Sequence, residues 1–367
     1  MSSTSNAAIA AYNLSLNQIV GAIAANGHKR TTLIQGHMGT GKSSILKMLG
    51  KRLPNHTLVY FDCTTKDIGD MAIPSLASID KDGCVRFIPN EELGLHLGTD
   101  VIIMLDEFGK APIPVQNACN RLMLEREFAG YKLTEKSIVL ATTNLGSEGV
   151  GDLLKPHTRN RITLVTSRKP TWREWVEWGI NNNIDHVLLS FVKDNEQLFA
   201  TFDEVPNPDE NPYIYHPKAS RAAFVTPRSL EAASDWLKVR SEIDDQTLTA
   251  ALMGTIGERA AMDLMAFVRM ADDLPSIESI KNDPMNARVP QSAGAVVMTV
   301  YRALGNIQRD WVDAWIDYMQ RLDGSAQGLF VNNVRQNDYS RKDIVLTNKK
   351  FTEWAMHNNH LFAADKR

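Results

Sequence analysis

At 367 residues, with 43% hydrophobic side chains, the chain is long enough for two or three domains and a sizeable apolar core. Its 40 basic and 43 acidic residues nearly cancel, to a net charge of −3, which excludes a surface built throughout for nucleic acid or an anionic membrane while leaving room for a local patch. Cys63, Cys84 and Cys119 form no C-x-x-C pair and no metal-ligand spacing and read as buried reduced thiols; no stretch approaches the length of a membrane span and the amino terminus is no signal peptide, so a cytoplasmic location is expected.

Within residues 14–26, Leu16, Ile19, Val20 and Ile23 recur at helical spacing, and Gly27-His28-Lys29-Arg30 ends that helix. Thr31 to Gln35 reads as a short buried strand. It enters Gly36-His37-Met38-Gly39-Thr40-Gly41-Lys42-Ser43, a G-x-x-x-x-G-K-[ST] loop, and Ser44 opens a helix that runs to Lys51. Phosphate binding needs this order of strand, glycine-rich turn and helix. Glycines let backbone N–H groups approach phosphate oxygens, and the helix amino end adds a favourable dipole. Gly36 to Ser44 are therefore the candidate nucleotide-binding residues. Lys42 would reach the β- and γ-phosphates of ATP, and Ser43 would place its hydroxyl on Mg²⁺.

Thr57 to Asp62 is a second strand, rich in β-branched and aromatic residues. Asp67-Ile68-Gly69-Asp70, Ile73-Pro74 and then Asp82-Gly83 between apolar residues predict a β-hairpin inserted where a plain helix would otherwise run, with a polar tip around Asp80, Lys81 and Asp82. Val101 to Leu105 is a continuous apolar run that ends in Asp106 and Glu107, as a strand buried on both faces of a parallel sheet does. At the carboxyl end of such a strand Asp106 would hold Mg²⁺ through water and Glu107 would polarise the attacking water; an acid pair that is merely solvated is the plain alternative. A helix over Val115 to Glu127 and a turn at Gly130-Tyr131 lead to a strand from Ser137 to Asn144, whose amide either orients the attacking water or caps a loop. After a Gly149-to-Asp152 loop, Arg159 and Arg161 precede a strand over Ile162 to Val165. They are either solvated charges or arginine fingers reaching a neighbouring subunit's γ-phosphate.

From Pro170 the pattern turns helical. Trp172, Trp175, Val176 and Trp178 fall near one helical face, and His186 to Phe199 forms another helix. Residues 203–217 read as an acidic, Pro-rich surface loop. Pro227 suits the first turn of a helix running to Leu237, whereas Arg228 in that turn opposes the helix dipole unless an anion such as a γ-phosphate compensates it. Gln246 to Met270 is a long helical stretch, Ser292 to Leu322 is largely helical with Trp311, Trp315 and Met319 on one face, and a last helix is expected at Phe351 to Leu361.

Taken together, the loop, the inserted hairpin, Asp106-Glu107, Asn144, Arg161 and Arg228 resemble the AAA+ ATPases, most closely their MoxR-type branch, over about residues 10–240. Asp67-Ile68-Gly69 before the hairpin, Asp106 to Ala111, Leu122 to Arg126 and Gly130 to Leu133 carry that likeness; Phe108-Gly109-Lys110 departs from the Ile-Asn-Arg common in the branch. The resemblance implies an α/β fold with a parallel five-stranded AAA+ core over 1–168 (insert about 71–90), an α-helical lid over 169–272 and a helical extension over 273–367. It implies Asn144 as sensor 1, Arg161 as the arginine finger and Arg228 as sensor 2, with ATP and Mg²⁺ as cofactors. It further implies a homo-hexamer that remodels a protein client, working with a separate protein that carries a von Willebrand factor A domain. A motor on nucleic acid is the alternative, disfavoured by the near-neutral charge and the acidic hairpin tip.

Overall fold

The apolar runs of the first half of the sequence become the central strands of one parallel sheet. The computed structural model describes residues 13–77, 83–144, 160–271, 274–359 and 362, and the chain divides into two units, Met1–Lys169 and Pro170–Arg367. The first unit contains, in chain order, β1 (Asn13–Leu14), α1 (Leu16–Asn26), β2 (Thr32–Gly36), α2 (Ser44–Arg52), β3 (Thr57–Asp62), β4 (Ala72–Ser75), β5 (Arg86–Pro89), β6 (Val101–Asp106), α3 (Ile113–Glu125), β7 (Glu127–Phe128), β8 (Tyr131–Lys132), β9 (Ile138–Asn144) and β10 (Thr163–Ser167).

Six of these strands form one sheet in the order β1-β10-β2-β9-β6-β3, every pair parallel. Five were expected. The sixth, β1, lies against β10 where the sequence pattern suggests the start of the first helix. Two residues are too few to carry a strand periodicity. β6 and β9 are buried along their whole length, as central strands covered on both faces must be. Alternate side chains of β6 enter different cores: Ile103 and Leu105 pack with Phe61, Val115 and Leu122, whereas Ile102 and Met104 pack with Ile19, Ile34, Ile45 and Leu49.

β4 and β5 form the inserted antiparallel hairpin, with Ile73 opposite Ile88 and Pro74 opposite Phe87. Its expected tip, Asp80 to Asp82, lies outside the described residues. The helix expected to reach Glu127 stops at Glu125, because Arg126 turns left-handed at φ 57° and frees Glu127 to pair in the small β7–β8 hairpin. Cys63 and Cys119 are buried, as inert thiols should be; Cys84, next to the hairpin strand β5, is exposed instead.

The second unit is helical and has one apolar core, in which Phe191, Leu264, Trp315, Phe330 and Phe351 are all buried. The segments read as lid and extension share this core. The last part of the chain adds helices at Gly324–Arg335, Lys342–Leu346 and Lys349–His357. Trp175, Trp311, Trp315 and Met319 are core residues, whereas Trp178 is exposed. The helix expected from His186 to Phe199 divides at Asn195 into an α-helix, His186–Asp194, and a 3₁₀ turn, Glu196–Phe199.

The long stretch expected from Gln246 is two helices, Asp245–Ile256 and Glu258–Ala271, parted by Gly257 at φ 89°. A Cβ there would lie 2.7 Å from the Ala223 carbonyl oxygen. Gly257→Ala is therefore expected to lower stability by about 1–3 kcal/mol, read as a lower urea midpoint at unchanged slope. A midpoint equal to that of the native chain would show that the turn relaxes freely.

Candidate active site

The parallel register brings the candidate residues to one edge. Gly36 pairs with Asn144 across β2 and β9, and Asp62 pairs with Asp106 across β3 and β6, so all four stand at the carboxyl ends of their strands. Ligands bind at this edge in open α/β sheets.

The loop between β2 and α2 is shaped by its glycines. Gly39 and Gly41 take φ 69° and 90°, in the left-handed region that L side chains avoid. Gly36 passes so close to β10 that a Cβ would lie 2.9 Å from the Ser167 carbonyl oxygen. Thr40 tightens the loop by donating to the His37 carbonyl at 2.9 Å. Ser43, the residue before α2, makes no capping bond with its side chain, which turns instead to Asp106.

Lys42 is 6% exposed, and its ammonium donates to the Gly36 and His37 carbonyls, both at 2.8 Å, and to Asn144 Oδ1 at 2.9 Å. Asn144 uses the other end of its amide to approach Glu107, with Nδ2 3.4 Å from Oε1. Glu107 is held from a second side by Lys110, whose Nζ is 2.9 Å from Oε2. That contact gives a place to the lysine whose role the sequence leaves open. The Glu107 backbone is left-handed, φ 51° and ψ 31°, and this turn carries its carboxylate from the end of β6 toward Asn144.

Asp106, 7% exposed, receives hydroxyls from three directions. Ser43 Oγ donates to Oδ2 at 3.0 Å, Tyr60 OH donates to the same oxygen at 2.9 Å, and Thr142 Oγ1 donates to Oδ1. Burial first, and then the hydrogen bond to Asp106 and its charge, push the Tyr60 phenol well above its ordinary range, so it stays a donor. Tyr60 and Thr142 were missed in the sequence. The available signal is period two: Thr142 stands two residues before Asn144, and Tyr60 two before Asp62, on the faces those residues present.

The donor set fits a nucleotide with Mg²⁺. The helix end and Lys42 suit phosphate, and the Ser43 hydroxyl beside the Asp106 carboxylate supplies hard oxygens. Among the described residues no three His, Cys, Asp or Glu side chains form a group that could hold a metal ion.

Arg161 is placed elsewhere in the first unit. Arg161 precedes β10, whose Thr163 pairs with Thr32 at the amino end of β2. The loop leaves β2 at its other end, about 15 Å away along the strand. Arg161 is 61% exposed, and among the described residues its ion-pair partner is Glu125, at 3.9 Å. Arg159 lies outside the described residues. Arg228 sits in the first turn of the helix Pro227–Lys238, exposed and with no ion pair among the described residues; Thr226 and Ser229 cap that helix.

No family model and no curated protein matches the chain. Among solved structures it is similar to the RuvB Holliday junction branch migration motor of Thermotoga maritima, at 14% identity over 74% of each chain and a TM-score of 0.35. It is similar to NtrX of Brucella abortus in complex with ATP, at 17% identity over 95% of this chain and 67% of that one, TM-score 0.38. It is also similar to Hsp104 in its closed state with ATPγS and casein, at 14% identity over 72% and 49%, TM-score 0.37. At these scores the likenesses carry no inference about this chain.

Proposed function

We propose that the chain is a Mg²⁺-dependent ATPase of the AAA+ kind, MoxR-type, which assembles as a homo-hexamer in the cytoplasm and remodels a protein client. The observation that carries this reading is the continuous line of contacts from the loop lysine through the strand-end amide to the second acid: Lys42 to Asn144 at 2.9 Å and Asn144 to Glu107 at 3.4 Å. Those three residue types are what hydrolysis of a phosphoanhydride needs in one place. Lys42 would balance phosphate charge, Asn144 would orient the attacking water and Glu107 would accept its proton. Mg²⁺, held by Ser43 and through water by Asp106, would supply charge neutralisation at the β- and γ-oxygens.

Arg161 stands at the wrong end of the sheet to serve its own loop, which supports a role in trans at a neighbouring subunit. Arg228 would be sensor 2, on residues 169–272 acting as a lid, with 273–367 as an extension. The hairpin is the proposed client contact. Ile73, Leu76, Val85, Phe87 and Ile88 are all exposed on it, and Arg86 is the one cation among its described residues. That surface suits a protein client better than a phosphate backbone. A separate protein with a von Willebrand factor A domain would be the partner. No helix among the described residues is long and apolar enough to cross a membrane.

Phosphate release from ATP tests the reading. The native chain is expected to turn over ATP with Mg²⁺ and not with EDTA, and Lys42→Ala should fall by about 10²-fold or more. A native chain inactive at every concentration up to full assembly would overturn it.

A further inference from the structure

Asp106 is held from both flanking strands, and one of the two clamps also holds Glu107. Thr142, on β9, donates its only proton to Asp106 Oδ1 and accepts the Glu107 backbone N–H at 3.2 Å. The direction of both bonds is fixed, because an ionised carboxylate only accepts and a backbone amide only donates. One hydroxyl therefore ties the first acid's carboxylate to the left-handed turn that aims the second. Two residues further along the same face of β9, Asn144 meets the Glu107 carboxylate. From the other side, Tyr60 of β3 reaches diagonally across the β3–β6 pair to Asp106 Oδ2, the oxygen that also receives Ser43. The carboxylate thus has one oxygen fixed from β9 and the other from β3.

We propose that Thr142 and Tyr60 are positioning residues of the hydrolytic site, clamping Asp106 toward Ser43 and making the aim of Glu107 depend on the Thr142 hydroxyl. This rests on the ATPase reading. Neither residue needs to touch the nucleotide. Both act by keeping Asp106 from rotating away from the Ser43 side, where a Mg²⁺-bound water would be accepted, and Thr142 also by holding the turn at Glu107. Partners of this outer kind typically change metal affinity or activity by about 10–100-fold.

The test compares Thr142→Val, Thr142→Ser and Tyr60→Phe with the native chain. Turnover is measured across a Mg²⁺ series, and affinity for a fluorescent ATP analogue is measured in Mg²⁺ and in EDTA. Thr142→Val is expected to lower kcat by about 10–100-fold and to lose most of the Mg²⁺-linked gain in analogue affinity while keeping the affinity seen in EDTA. Thr142→Ser, which keeps the hydroxyl, is expected to restore both quantities. Tyr60→Phe is expected to raise the Mg²⁺ concentration needed for half-maximal turnover severalfold. Tyr60 is half exposed, so this variant gives a result even if the valine variant fails to fold. Native kcat and native Mg²⁺ linkage in Thr142→Val, a serine variant no better than the valine, or an unchanged Mg²⁺ requirement in Tyr60→Phe would each overturn the proposal. A native chain that hydrolyses no ATP would instead overturn the ATPase reading itself.

Discussion

Glu107→Gln is expected to bind ATP about as tightly as the native chain and to hydrolyse it about 10²–10⁴-fold more slowly, the usual worth of a positioned general base. In the proposed site the phosphate contacts would come from Gly36 to Ser44 and the amino end of α2, none of which this change touches. Glutamine keeps the length of the side chain and an oxygen for the Asn144 amide at 3.4 Å, so the site keeps its shape and loses the base. The partner left behind is Lys110, 43% exposed, and an ion pair in that setting contributes little to stability. Binding is measured with a fluorescent ATP analogue and turnover by phosphate release. Because the variant holds ATP unhydrolysed, the same protein captures whatever it works on. A stoichiometric protein recovered with it, above all one with a von Willebrand factor A domain, supports remodelling of a protein client. Nuclease-sensitive nucleic acid would instead make the hairpin a strand contact. Turnover equal to that of the native chain would remove Glu107 from the chemistry.

The glycine-rich loop and the polar residues that end strands were legible because short-range rules fix them. Gly39 and Gly41 admit the left-handed backbone that the loop takes, and the burial of β6 on both faces shows as an unbroken apolar run from Val101 to Leu105. What was not legible depends on register. Thr142 becomes a partner of Asp106 only because β6 and β9 pair Leu105 with Ala141, which sets the next residues side by side. Tyr60 reads as one more β-forming aromatic until β3 is known to be the edge strand next to β6. The break at Gly257 is of the same kind: a glycine within a helical run is tolerated on average, and only the approach of the Ala223 carbonyl makes this one a requirement. Arg161 was legible as a candidate that precedes a strand, but only the parallel pairing of β10 with β2 shows that it lies at the end opposite the loop.

That position determines what Arg161→Ala should do. The side chain starts at the amino ends of the strands, whereas Lys42, Asp106, Glu107 and Asn144 gather at the carboxyl ends. Its ion pair with Glu125, at 3.9 Å with both partners mostly exposed, contributes little to the fold. The variant is therefore expected to fold and bind ATP as the native chain does, yet to lose about 10³–10⁵-fold in turnover if it supplies a neighbour's transition state with positive charge. Mixing separates this from an effect on its own site. An Arg161→Ala subunit keeps an intact loop and Glu107, and a Glu107→Gln subunit keeps an intact Arg161. Where the first presents its loop to the second, one complete site forms, at roughly a quarter of the interfaces in a random equimolar ring with head-to-tail contacts. Two inactive preparations should thus recover activity on mixing. If Arg161 served its own loop, every subunit in the mixture would carry a broken site and no activity would return. Loss of ATP binding in step with turnover would also exclude the role in trans, because a finger from a neighbour is not needed to fill the loop.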